Sequence, residues 1–196
     1  MKELLVATGN RGKLRELELL LQGSVERLLS LADFPELPAV DEDGKTFVEN
    51  AIKKARSAAK ATGLPVLADD SGLVVDRLGG RPGVHSARFA GATATDAENN
   101  ALLLRELAGV PIEFRGAAFR CFIALCLPDG ACETFDDELR GIILESPRGT
   151  EGFGYDPLFL VPEYGKTLAE LPLATKNRIS HRGKALLRLK EFLAGH

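Results

Sequence analysis

The chain has 196 residues, of which 45% are hydrophobic and 27% are charged, and its formal net charge is −3. This length supports one sizeable hydrophobic core or two small lobes, and the composition is that of an ordinary globular protein. The weak negative charge does not suggest binding to a nucleic acid polymer. No apolar run approaches the roughly 20 residues that cross a membrane, so we expect no membrane partner.

The first third of the chain alternates apolar runs with helical patterns. Residues 3–7 and 25–31 are short apolar runs that predict strands, whereas leucines at helical spacing predict a helix over residues 13–22. An exposed loop rich in Pro, Asp and Glu follows over residues 33–45. Residues 46–62 carry the clearest helical pattern, which begins with the capping-box sequence Thr-x-x-Glu.

An acidic pair follows the next apolar run. Residues 64–67 predict a strand that ends in Ala-Asp-Asp-Ser-Gly, and side chains at strand ends often build sites. If strand geometry persists, Asp69 and Asp70 point to opposite faces, so one would be a metal ligand or a base and the other would serve the fold. A divalent cation with a phosphate would offset their charge. A turn with solvated acids remains the alternative.

The remainder of the chain continues this alternation. We predict a helix over residues 95–108, a buried strand over 119–127 that turns back into 131–139, a glycine-aromatic loop over 151–157, and a last helix near 180–194. No linker is long enough to separate independent domains. The pattern predicts a single α/β domain of all 196 residues with a mixed sheet.

The three cysteines do not suggest a metal site. Cys121, Cys126 and Cys132 lack paired Cys-x-x-Cys spacing, and their odd number argues against a disulfide framework. We expect free, buried thiols, as in a reducing cytoplasm. The N-terminus lacks the layout of a signal peptide, which fits the same expectation.

The loop from Thr8 to Lys13 joins a predicted strand to a predicted helix. Backbone N–H groups at the helix start, the Thr8 hydroxyl, the Asn10 amide and the Lys13 ammonium could converge on a phosphate. The P-loop sequence is absent. A capped helix start with an exposed lysine is the alternative interpretation.

Two later segments could bind a nucleobase or an anion. Phe153 lies between two glycines, which suits stacking on a flat ligand, although a tight turn with a packed aromatic ring would give the same pattern. Residues 176–184 are basic, and His181 and Arg182 fall in the first turn of the last helix. Cations there oppose the helix dipole, so a bound anion or base would offset a cost. A solvated basic helix start remains open.

These motifs together resemble those of the inosine/xanthosine triphosphate pyrophosphatases, the Ham1-like enzymes that act on noncanonical purine nucleotides. The resemblance covers essentially the whole chain and implies hydrolysis of ITP, dITP and XTP to the monophosphate and pyrophosphate, with Mg²⁺. It also implies an elongated mixed α/β fold with two lobes and a central substrate cleft, and a homodimer. The matching segments are ATGNRGK (7–13), DGKTFVENAIKKA (43–55), LADDSGLVVDRLGGRPGVHSARFAG (67–91), GFGYDPLF (152–159) and SHRGKAL (180–186).

The resemblance also implies roles for individual residues. Asp70 resembles the base that activates water, and the Arg182 guanidinium is expected to pair with the oxygen at position six of hypoxanthine or xanthine. Glu42 resembles the upstream metal ligand, although Asp41 and Asp43 are its immediate neighbours. The implied metal ligands are Glu42, Asp69 and Asp70, and the implied substrate-binding residues are Thr8, Gly9, Asn10, Arg11, Gly12, Lys13, Lys54, Ser71, Phe153, Gly154, Tyr155, Asp156, Lys176, His181 and Arg182.

Three other functions compete with this interpretation. A phosphatase of the haloacid-dehalogenase type needs an Asp-x-Asp spacing, whereas Asp69 and Asp70 are adjacent. A pyrophosphatase for modified pyrimidine nucleotides would use similar chemistry. A nucleotide-binding module without catalysis would bind ITP but leave it intact.

Overall fold

A computed structural model describes residues 1–195, which contain a mixed sheet of seven strands in the order β2-β1-β3-β4-β5-β6-β7. Here β1 is parallel to β2 and β3, whereas β6 is antiparallel to β5 and β7. The predicted α/β class is confirmed. The strands are β1 (Glu3–Val6), β2 (Arg27–Ser30), β3 (Val66–Val75), β4 (Gly116–Cys126), β5 (Cys132–Ile143), β6 (Phe159–Val161) and β7 (Lys166–Thr167).

Two of the described helices begin at a complete capping box. Thr46 and Glu49 form a complete capping box at α2, and Gly63 ends that helix in a left-handed conformation with φ of 70°. Thr95 and Glu98 form the same box at α3. No described helix is long and apolar enough to cross a membrane. The helices are α1 (Arg11–Leu21), α2 (Phe47–Thr62), α3 (Asp96–Glu106), α4 (Leu173–Ile179) and α5 (His181–Ala194).

The chain divides into two compact units. Unit 1 contains Met1–Asp70, Cys121–Asp137 and the residues from Arg182 onward, and unit 2 contains Ser71–Arg120 and Glu138–His181. Whether they form the single domain predicted from the sequence stays a prediction.

Each unit has its own hydrophobic core. In unit 1, Leu67 and its neighbours pack against α1 and α5, whereas Val66 and Ala68 pack against α2. These consecutive residues therefore face opposite sides of β3, as strand geometry requires. In unit 2, Leu73 and Phe119 belong to one core that includes residues of α3, β5 and β6.

The prediction that a strand ends at the acidic pair is wrong. Strand β3 continues through Asp69 and Asp70 to Val75, so both acids lie within a ten-residue strand and are buried. Backbone pairing continues because β3 lies between β1 and β4 in the sheet. Cationic and amide side chains compensate the two buried charges, and sequence periodicity alone does not reveal these partners.

The expectation of three free thiols is also wrong. Cys126 ends β4 and Cys132 begins β5, and these two residues form a disulfide with Cα atoms 4.1 Å apart. The predicted turn at residues 128–130 brings the two strand ends together. Cys121 remains a free, buried thiol.

Candidate active site

The loop after β1 forms the capped start of α1. Asn10 Oδ1 accepts a hydrogen bond from the Lys13 backbone N–H at 3.0 Å, and Thr8 Oγ1 accepts one from the Asn10 N–H at 3.2 Å. A helix start also presents N–H groups that the helix itself cannot bond, so this cap and a phosphate site are compatible. Among the loop residues, Gly9, Asn10 and Arg11 are exposed, whereas Thr8, Gly12 and Lys13 are partly buried.

A buried ion cluster surrounds Asp69 in unit 1. Its carboxylate contacts the Lys13 ammonium and accepts hydrogen bonds from Arg182 Nε and Cys121 Sγ, each at 3.0 Å. Arg182 also donates through Nη1 to Glu16. Burial disfavours the ionised form of Asp69. The positive charges of Arg182 and Lys13 outweigh this effect and hold the pKa of Asp69 well below its usual value of 3.8. Asp69 is therefore an ionised residue that fixes two cations.

Asp70 lies on the opposite face of β3, toward α2. Asn50 Nδ2 donates to Asp70 Oδ2 at 3.1 Å, and Lys54 Nζ lies 3.5 Å from Asp70 Oδ1. The same ammonium donates to Glu42 Oε1 at 2.7 Å and to the backbone carbonyl of Asp69 at 2.9 Å. One lysine thus joins the acidic loop after β2 to β3.

The environment of Asp70 suits a base. Burial raises the pKa of Asp70 above its usual value of 3.8, and the charge of Lys54 only partly opposes this shift. A carboxylate with a raised pKa accepts a proton more readily. Burial also disfavours the charge on Lys54, but Asp70 and Glu42 outweigh it and raise the pKa of the lysine. The lysine therefore stays charged beside Asp70.

The oxygen atoms around Lys54 fit a hard divalent cation. The carboxylates of Glu42 and Asp70 both contact the Lys54 ammonium, so a positive charge is stabilised between them. Among residues 1–195, no group of three or more His, Cys, Asp or Glu side chains is arranged to hold a metal. Mg²⁺ is usually bound by only one or two carboxylates together with water and substrate phosphates. The donor set of Glu42 and Asp70 therefore meets its requirements, whereas the Asp69 carboxylate is engaged by protein cations.

The glycine-aromatic loop is held in a defined shape within unit 2. The buried Asp156 carboxylate accepts a hydrogen bond from the Phe153 N–H at 3.0 Å and pairs with the Lys176 ammonium. That ammonium lies 4.8 Å from the centroid of the Phe153 ring. The Tyr155 hydroxyl donates to the Ser86 carbonyl at 2.8 Å. The loop therefore presents a partly buried aromatic ring beside a cation.

His181 is buried in unit 2 at the first residue of α5. Its ring stacks on Phe119 with centroids 5.0 Å apart and planes within 9°. The predicted site residues thus divide between the units. Unit 1 contains Thr8, Gly9, Asn10, Arg11, Gly12, Lys13, Glu42, Lys54, Asp69, Asp70 and Arg182, and unit 2 contains Ser71, Phe153, Gly154, Tyr155, Asp156, Lys176 and His181.

Sequence reasoning missed three residues that contact the site of unit 1. Glu16 lies three residues after Lys13 on α1, and Asn50 lies four residues before Lys54 on α2, so helical spacing from the predicted lysines would have identified both. Asn50 Oδ1 also accepts from the Gly44 N–H at 2.8 Å, which attaches the acidic loop to α2. Cys121 lies on β4 and had no comparable signal.

Comparisons with known proteins give a consistent result. The model of the Ham1 family matches residues 4–192. A dITP/XTP pyrophosphatase of Geobacter sulfurreducens is 64% identical over 193 residues, covering 98% of this chain and 97% of the relative. One from Geobacillus kaustophilus is 54% identical and covers 97% and 94%. The solved structure of a HAM1 protein from Coxiella burnetii has a TM-score of 0.90 at 45% identity, with full coverage of both chains.

Proposed function

This chain belongs to the Ham1 family, and we propose that it hydrolyses the noncanonical purine nucleotides ITP, dITP and XTP to the nucleoside monophosphate and pyrophosphate. The relatives named dITP/XTP pyrophosphatases support this activity. The observation that carries the proposal is the environment of Asp70, where a buried carboxylate with a raised pKa lies beside a charged lysine and a second carboxylate.

In the proposed reaction, water attacks the α-phosphorus and pyrophosphate leaves. Asp70 orients the water and accepts its proton, and Asn50 holds the carboxylate through Oδ2. General-base assistance of this kind typically contributes about 10²- to 10⁴-fold. Lys13 and Lys54 stabilise the negative charge that develops on the leaving pyrophosphate.

Glu42 and Asp70 are the residues that would hold Mg²⁺. When bound, Mg²⁺ supplies positive charge to the phosphate oxygens and lowers the pKa of coordinated water. Asp69 instead positions the two lysines: its carboxylate holds Lys13 in place, and its backbone carbonyl accepts a hydrogen bond from Lys54. Of the three predicted metal ligands, Asp69 has the least support, because its carboxylate already binds Lys13 and Arg182.

We assign triphosphate binding to the loop at Thr8–Lys13 and to Lys54. We assign base binding to the Phe153 ring, Lys176 and His181, which offer stacking and hydrogen-bond donors. Arg182 is anchored by Asp69 and Glu16, and we retain it as the donor to the purine oxygen at position six. A buried donor left unpaired by adenine can give about 10⁴-fold discrimination.

A substrate panel tests the proposed activity. Purified protein and Mg²⁺ are incubated with ITP, dITP, XTP, ATP, GTP and modified pyrimidine triphosphates, and the released anion is identified. Pyrophosphate from ITP, dITP and XTP is the expected product. Release of orthophosphate would contradict the proposal, as would intact ITP, which a nucleotide-binding module without catalysis would leave.

The assembly of the enzyme is also proposed, from the family resemblance, and its cellular site is proposed from the sequence analysis. We propose a homodimer in the cytoplasm that takes free nucleotides and no nucleic acid polymer. Analytical ultracentrifugation at micromolar concentration tests the dimer, which would be contradicted by a mass near 21.1 kDa.

A further inference from the structure

Both backbone groups of Gly154 are bonded by side chains of a helix that has no assigned role. The Gly154 N–H donates to Asp96 Oδ2 at 2.7 Å, and the Gly154 carbonyl accepts from Asn100 Nδ2 at 2.9 Å. Asp96 and Asn100 are four residues apart on α3, so they lie on the same face of that helix. All three residues belong to unit 2.

These two hydrogen bonds hold the loop at a residue with an unusual backbone conformation. Gly154 has φ of 62°, in the left-handed region, and it follows Phe153 directly in the chain. The Phe153–Gly154 peptide group contains the N–H that Asp96 binds, so Asp96 restrains the plane through which the aromatic residue joins the loop. Asn100 restrains the next peptide group. The two side chains together fix the backbone on the C-terminal side of Phe153.

The Gly154 N–H donates to a carboxylate, so this hydrogen bond is of the charge-assisted kind. Burial raises the pKa of Tyr155, and the nearby Asp96 carboxylate adds to that shift. Hydrogen bonds to an ionised acceptor are shorter and stronger than neutral ones, in agreement with the 2.7 Å separation. Tyr155 is itself held through its hydroxyl by the Ser86 carbonyl.

We propose that Asp96 and Asn100 are positioning residues for nucleobase recognition, because they bind both sides of Gly154 and thereby set the orientation of Phe153. This inference rests on the proposed function, in which Phe153 stacks on the base. It has a chemical consequence: the Gly154 N–H donates within the protein and is not a group that reads the purine edge. Asp96 and Asn100 act through the loop and do not touch the substrate.

Four variants test the two hydrogen bonds. Asp96→Ala and Asn100→Ala each remove one bond, and each is expected to raise KM for dITP about three- to tenfold, as one hydrogen bond is worth. The kcat value should stay within twofold, because the groups around Asp70 are unchanged. Asp96→Asn keeps an acceptor and should restore a KM near that of the wild type. Asn100→Asp places a carboxylate against the Gly154 carbonyl and should raise KM more than alanine does.

Two controls separate positioning from general damage. Glu98→Ala removes the capping box of α3 without touching Gly154, so it reports the effect of a weakened helix start alone. Inhibition by tripolyphosphate, which carries no base, should be unchanged in all five variants. Affinity for IMP, measured by calorimetry, should fall in Asp96→Ala and Asn100→Ala in proportion to the change in KM.

The outcomes distinguish the inference from the proposed function. If the wild type releases no pyrophosphate from dITP, the proposed function fails, whatever the variants do. If the wild type is active and both alanine variants keep the wild-type KM and IMP affinity, the positioning role is overturned. A rise in KM for Glu98→Ala that equals the rise for Asp96→Ala would also overturn it, because helix stability would then explain both results.

Discussion

Asp69 and Asp70 are consecutive in β3, yet their carboxylates bind different partners on opposite faces of the sheet. Asp69 contacts Lys13 and Arg182, whereas Asp70 contacts Asn50 and lies beside Lys54. Strand geometry requires this separation, since successive side chains point in opposite directions. Asp69 therefore balances the charges of two buried cations. Asp70, whose pKa is raised, has the properties of a base.

The Asp70→Asn variant is expected to fold normally and to lose turnover by about 100- to 10,000-fold, because the amide cannot accept a proton from water. Its melting temperature should stay close to that of the wild type, since the exchange removes a buried charge whose pKa is already raised. Pyrophosphate release from dITP and differential scanning calorimetry measure the two quantities. Near-normal turnover would exclude Asp70 as the base.

The matched variant Asp69→Asn should lose stability as its main defect. It removes the carboxylate that pairs with Lys13 and one of the two carboxylates that bind Arg182, and breaking a buried ion pair costs about 3–5 kcal/mol in other proteins. Unfolding in urea should therefore begin at a lower concentration than in Asp70→Asn. Equal stability of the two variants would show that the Asp69 contacts contribute little to folding.

Asn50 is expected to support the base through its hydrogen bond to Asp70. Asn50→Ala should lower kcat/KM about 10- to 150-fold, since a buried hydrogen bond to a charged group is worth about 1.5–3 kcal/mol. The matched control is Lys53→Ala, which removes an exposed ion pair with Asp43 on the same helix and should leave kcat/KM unchanged. Steady-state kinetics on dITP compare the two variants, and equal rates would contradict a supporting role.

Helices α1, α2, α3 and α5 and most strands were predictable because their signals are local. The Thr46–Glu49 and Thr95–Glu98 capping boxes identified the starts of α2 and α3 from four residues each. The extension of β3 through Asp69 and Asp70 was not predictable, because it depends on strands and cations that are distant in sequence.

Short elements and residue pairings also escaped the sequence analysis. Strands β6 and β7 have only three and two residues, too few to show a period, and α4 has no side-chain cap. The Cys126–Cys132 disulfide depends on how the strand ends meet, which spacing alone does not determine. The loop at Gly154 was predicted, but its bonds to α3 required the tertiary structure.

Arg182 and Glu16 form a pair whose variants separate stability from base selectivity. Both are buried, so Arg182→Ala and Glu16→Ala should each lower the free energy of unfolding by about 3–5 kcal/mol. Only Arg182→Ala should lower the ratio of kcat/KM for dITP to that for dATP. Equal losses on both nucleotides would assign Arg182 to the fold or to the phosphates.

Glu98 should make a small, pH-dependent contribution to stability. Hydrogen bonds from the Thr95 backbone and hydroxyl lower the pKa of Glu98 below its usual value of 4.5. Because the folded pKa is the lower one, this stabilisation is present above pH 4.5 and is lost as the pH falls through the folded pKa. The stabilities of the wild type and Glu98→Gln in urea should differ at pH 7, and the difference should shrink as the pH falls below 4.5. A constant difference would exclude this linkage.

The position of water attack tests the central claim most directly. Hydrolysis of dITP in water labelled with ¹⁸O, followed by mass spectrometry of both products, shows which phosphorus receives the oxygen. Attack at the α-phosphorus, with Asp70 as the base, places the label in dIMP and none in pyrophosphate, and Asp70→Asn should form almost no labelled dIMP. Label in pyrophosphate or in orthophosphate would contradict the mechanism.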